Sequence, residues 1–66
     1  MYELYMVACF KYKRLVERQC FGNYSDAYDY ACSQVSRQGC SSLILQKSKD
    51  EKKWVRRLAL YPGETI

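Results

Sequence analysis

The stretch FGNYSDAYDYACSQVSRQG, residues 21–39, decides how this chain folds. Gly22 and Asn23 break the extended segment that ends at Phe21. Ser25 reads as an N-cap, Asp26 stands in the first turn where the helix dipole favours an anion, and Gly39 supplies a left-handed stop. These marks predict a helix over residues 26–38. At about 100° per residue, Tyr24, Ala27, Tyr28, Ala31 and Val35 share one side of it, while Asp26, Asp29, Ser33, Ser36 and Arg37 share the other. Two alanines in the apolar stripe let a helix sit close on a sheet, so Ala27, Ala31 and Val35 are expected at that contact.

Working outward, residues 2–12 are rich in aromatic and apolar types. At period two they separate Tyr2, Leu4, Met6, Ala8, Phe10 and Tyr12 from Glu3, Tyr5, Val7, Cys9 and Lys11. The first set is expected to be the core face of a strand. Residues 15–21 read as a second strand returning antiparallel. The turn between them, near Lys13 and Arg14, has no Gly, Asn, Asp or Pro, so one long bent strand or a partly helical segment stays open beside the hairpin. After Gly39, residues 42–47 and 54–61 are two further strands, the last ended by Pro62 and Gly63. The order ββαββ predicts an α+β fold: a four-stranded antiparallel sheet with one helix packed on one face. A single domain over residues 1–62 and a short tail over 63–66 complete the expectation.

At 66 residues, 48% of them hydrophobic, the chain can fold around one small core and has no room for a second. The longest apolar run, Leu4 to Phe10, falls far short of the ~20 residues a membrane helix needs and follows Glu3 rather than a basic segment. A cytoplasmic protein with no membrane partner is the expectation. The net charge of +4 is unevenly spread. Lys11, Lys13, Arg14 and Arg18 make the first third basic, Lys47 to Arg57 make the last third basic, and the middle holds Arg37 against Asp26 and Asp29. This distribution suits an anionic partner, and it equally suits a solvated surface.

Catalytic chemistry finds little to work with. Nucleophilic catalysis by Ser or Cys usually draws on a His base, and the chain has none. Asp26 and Asp29 read as a dipole-compatible first turn rather than an acid/base pair. Three glycines, Gly22, Gly39 and Gly63, cannot build a phosphate-cradling loop. Cys9, Cys20, Cys32 and Cys40 are widely separated with no Cys-x-x-Cys pair, so reduced thiols and no metal or other cofactor are expected. The chain does not read as an enzyme.

Two binding readings remain. In one, the uncovered sheet face gathers Tyr5, Cys9, Lys11, Lys13, Lys53, Val55, Arg57 and Tyr61 and binds nucleic acid, with Lys11, Lys13, Lys53 and Arg57 as its cations. The opposite parity of the last strand would place Trp54, Arg56, Leu58 and Leu60 there instead. In the other, the chain docks on a protein. Seven tyrosines exceed what so small a core can hide, and aromatic residues backed by Arg carry hot-spot energy. The candidate contacts are Tyr5 and Tyr30, expected to point away from the core, with Arg57 and Tyr61 on the basic last strand. A homodimer is compatible with this reading.

In size and layout, and in the phrase FGNYSDAYDYA at residues 21–31, the chain resembles the small ββαββ proteins encoded by bacteriophages and prophages. Some of these bind and block a host or defence protein. The resemblance implies a stand-alone inhibitor or modulator with a protein partner, and it carries no functional residue over to this sequence.

Overall fold

The computed structural model describes residues 3–48 and 50–62, in the order β1 (Glu3–Lys11), β2 (Arg14–Phe21), α1 (Tyr24–Gln38), β3 (Ser41–Ser48) and β4 (Val55–Leu60). All four strands form one antiparallel sheet in the spatial order β2-β1-β3-β4, with α1 against one face, so the ββαββ architecture stands. The helix carries the chain from the β2 edge across β1 to β3. Tyr2 and the tail at 63–66 lie outside the described residues.

The helix begins earlier than its sequence signals suggest. Asn23, not Ser25, is the N-cap: its backbone is extended, with φ −145° and ψ 158°, and its side chain accepts a 2.8 Å hydrogen bond from the Asp26 amide. The Asn23 side-chain amide in turn donates to the Asp26 carboxylate at 3.0 Å, so cap and first-turn anion hold each other. At the other end Gly39 has φ 68°, and the Gly39 and Cys40 amides both donate to the Gln34 carbonyl.

The first hairpin forms despite its missing turn signal. Tyr12 and Lys13 are its two loop residues and both have positive φ, 55° and 65°, as a type I′ connection requires. Neither is Gly or Asn, so each carries the left-handed penalty of about 1–2 kcal/mol. Lys13→Gly is therefore expected to stabilise the domain by about 1 kcal/mol, seen as a rise in Tm of roughly 4–8 °C by circular dichroism. An unchanged or lowered Tm would show that the turn is not strained.

Period two picks out the wrong face of β1 as the core. Val7 and Cys9 are fully buried under the helix, with Tyr5 beside them, whereas Leu4, Met6, Ala8 and Phe10 occupy the opposite face. Both sets are apolar, so alternation alone cannot choose between them. The choice is made by the helix, whose buried residues are Ala27 and Ala31: it approaches closely enough to meet Val7, Cys9 and Ile44. Val35 is only half-buried, and Tyr24 and Tyr28 stack on each other at 6.1 Å at the margin. Ser42 ties the two layers together, donating to the Ala31 carbonyl at 3.2 Å from a buried position in β3.

Each edge strand is bulged. Val16 is the unpaired extra residue in β2 and Arg57 in β4. Such bulges twist an edge away from further pairing and reset the alternation beyond them. In β4 the consequence is that neither strict parity holds: Leu58 and Leu60 face the helix, while Arg56 and Ala59 face the other way.

Candidate binding face

The sheet face away from α1 is built from two rows of apolar side chains on the central strands. Register places Met6 beside Leu45 and Ala8 beside Leu43, with Leu4 and Phe10 continuing the β1 row. On the flanking strands, Arg18 of β2 stands beside Ala8, and Arg56 of β4 stands beside Leu45. No described Asp or Glu occupies a position on this face. Glu17 is on the helix side, Asp26 and Asp29 are on α1, and Asp50 and Glu51 lie in the β3–β4 loop. The one described helix lies on the other side, and of the apolar residues on this face Ala8 is buried while Leu4, Met6, Phe10, Leu43 and Leu45 are half-buried.

At one end this face deepens into a groove of about 260 Å³ whose walls include Phe10, Tyr12, Leu43, Arg56, Ala59 and Tyr61. Tyr12 is 89% exposed there, held out by the left-handed turn. At the other end Lys47 closes the face. Its ammonium lies 5.6 Å from the centre of the Trp54 ring and donates to the Glu51 carbonyl at 2.9 Å.

The residues singled out from sequence are scattered over the molecule. Tyr5 points toward the helix, half-buried, with its ring 5.7 Å from that of Tyr24. Tyr30 also packs on the core, its ring 5.4 Å from Phe21 and its hydroxyl donating to the Glu17 carboxylate. The expectation that both point away from the core is thus overturned: Tyr5 shares its face with Val7, and Tyr30 leans over β2 rather than outward. Arg57 is exposed at the β4 bulge near Glu51, and Tyr61 alone of the four borders the open-face groove. The nucleic-acid set is dispersed as well. Lys11 lies on the helix side near Gln34 and Gln38, Lys13 is in the first turn, and Lys53 is in the loop at the opposite end of the sheet. Of the other residues expected to join them, Cys9 is buried under the helix, and Val55 pairs with Gln46 on the helix side.

The titratable groups near the core serve packing. Burial pushes the Cys9 thiol up, which keeps it neutral and a poor nucleophile. Tyr28 is raised by its hydrogen bond with Cys32. The Tyr30 hydroxyl is raised well above its ordinary value, first by burial and then by its bond to Glu17. A folded-state pKa above the unfolded one stabilises the fold below pH ~10 and is lost as pH rises beyond it. Tyr30→Phe should cost about 1 kcal/mol at pH 7 and flatten the alkaline limb of the stability curve. Urea melts at pH 7 and pH 10.5 check this, and equal alkaline losses in both proteins would count against it.

The open-face residues Met6, Leu43, Leu45, Arg18 and Tyr12 escape the sequence reading, and Arg56 enters it only through the opposite parity of the last strand, although a signal exists. Leu4–Phe10 and Leu43–Leu45 are unbroken apolar runs, the pattern of strands that are covered on both faces. The described residues provide one helix, for one face. No family model matches the chain, and no curated protein or solved structure is significantly similar to it.

Proposed function

We propose that this chain is a non-enzymatic protein-binding module that docks its partner on the open sheet face. The observation that carries the reading is that this face, apolar along both central strands and flanked by Arg18 and Arg56, has no covering layer among the described residues. Contiguous apolar surface rimmed by polar groups marks interaction sites, and aromatic and Arg side chains supply hot-spot energy there. Tyr12 adds support: a bulky aromatic kept in a strained turn, where Gly or Asn would be more stable, is of more use to a partner than to the fold. A module of this size acts by occupancy, as an inhibitor or modulator of the protein it covers.

The cations favour an anionic partner surface, but the centre of the face is aliphatic, whereas single-stranded nucleic acid is held on aromatic platforms. Capture from nuclease-treated extract by the immobilised chain tests the reading. Wild type and Lys53→Ala should retain the same stoichiometric protein, and Leu45→Asp should lose it while keeping a wild-type circular dichroism spectrum. Retention by folded Leu45→Asp would remove the open face from the interface. Salt-sensitive recovery of nucleic acid in place of protein would favour the other reading.

A further inference from the structure

Resting on that reading, we infer that the occupant of the open face is an amphipathic α-helix of a partner protein, with carboxylates on both flanks of its apolar stripe. The apolar strip belongs to β1 and β3, and the flanking cations stand on β2 and β4, one on each side. Three strand spacings separate the two outer strands, roughly 14 Å. A helix about 10–12 Å across fits between Arg18 and Arg56 and leaves its flanks within their reach. Arg18 lies on the Ala8–Leu43 row and Arg56 on the neighbouring Met6–Leu45 row, so the two residues are offset along the strands. That offset is about 7 Å, the rise over about five residues of a helix. Carboxylates five residues apart, on opposite flanks of an i, i+3, i+4, i+7 apolar stripe, satisfy both arginines at once. The low Ala59 side chain leaves depth for a large apolar anchor in the groove whose walls include Phe10, Tyr12 and Tyr61.

Charge and packing argue against the open face or α1 of a second copy as the occupant. A face-to-face pair of copies related by a two-fold axis sets Arg18 against Arg56, or each against its own mate, with no open-face carboxylate among the described residues to relieve the repulsion. The apolar stripe of α1 is already used against the sheet through Ala27 and Ala31, and its outer side carries Asp29, Ser33, Ser36 and Arg37. A strand-forming partner would gain most by pairing at an edge, and Val16 and Arg57 bulge both edges.

The test uses the whole chain and two synthetic helical peptides with the same leucine stripe, one flanked by Glu and one by Lys. In fluorescence-anisotropy titrations the Glu peptide should bind at least ten-fold more tightly than the Lys peptide. Its addition should shift the methyl resonances of Met6, Leu43 and Leu45 and leave those of Ala27 and Ala31 in place. Arg18→Glu combined with Arg56→Glu should reverse the preference between the peptides. Equal binding of the two, an unchanged preference in the charge-reversed chain, or shifts confined to α1 would overturn the inference. So would tighter binding to anionic vesicles than to the Glu peptide, or a concentration-dependent dimer that Leu45→Asp dissociates. If neither peptide binds while capture of a protein still depends on Leu45, the helical occupant is wrong and the docking face stands. If capture is indifferent to Leu45, the docking face itself is wrong.

Discussion

Replacing Ala31 by Arg is expected to leave the chain unfolded at 25 °C. Ala31 is completely buried, and its carbonyl receives the Ser42 hydroxyl, so the helix backbone sits directly on β3 at this point. An arginine there must either bury its guanidinium without a partner or lift α1 from the sheet, and each costs several kcal/mol. A domain of this length has a total stability of the order of 3–10 kcal/mol, so the loss is comparable to the whole. Loss of the far-ultraviolet helix signal and of the cooperative thermal transition is the expected result. A variant that melts within a degree or two of wild type would contradict the helix-on-sheet contact. Arg at exposed Ser36, on the outer side of the same helix, should be tolerated within about 0.5 kcal/mol and controls for the introduced charge.

The second large effect separates the two sheet faces through neighbouring residues of one strand. Ile44 is fully buried beneath the helix, and Leu45 is half-buried on the open face. Ile44→Ala leaves a cavity that small neighbours such as Cys9 and Ala27 cannot fill, and should cost about 3–4 kcal/mol. Leu45→Ala removes more side-chain surface that water already reaches, and should cost about 1 kcal/mol. Urea denaturation of both variants measures the difference. Equal costs would mean that the open face is as well covered as the core, and the case for a docking surface would lose its basis.

The candidate site was harder to read than the fold for a particular reason. Tyr5 looks exposed in any scheme that assigns Leu4, Met6 and Phe10 to the core, because the alternation then places it outside, and Tyr30 looks exposed because it falls on the flank of the helix stripe beside Asp26 and Arg37. Once Val7 and Cys9 are the buried pair, Tyr5 follows them inward, and Tyr30 finds Phe21 and Glu17 on β2. The reversal of parity in β1 thus moves Tyr5 into the domain and brings Met6 out, while Tyr30 is drawn in by its own contacts with β2. The bulge at Arg57 decides the rest, since it turns Arg56 to the open face and Leu58 to the helix within three residues. Arg18 and Arg56, 38 positions apart in the chain, flank one face only because β2 and β4 are the two edges of one sheet.

Local chemistry alone determines a good deal about this protein. The αL stop at Gly39, the first-turn anion Asp26, the alanine stripe of α1 and the four extended segments depend on residues within a turn or two of each other, and these establish the element order and the α+β class. What lies between segments depended on the tertiary structure. Which side of β1 is covered, how Tyr12 and Lys13 close a hairpin without a turn residue, where the edge strands bulge, and which cations share the open face are settled by packing energy summed over distant contacts. A strand that is apolar on both faces carries no local preference for either, so the helix chooses one through the fit of Ala27 and Ala31, and the other face is left without a covering element among the described residues.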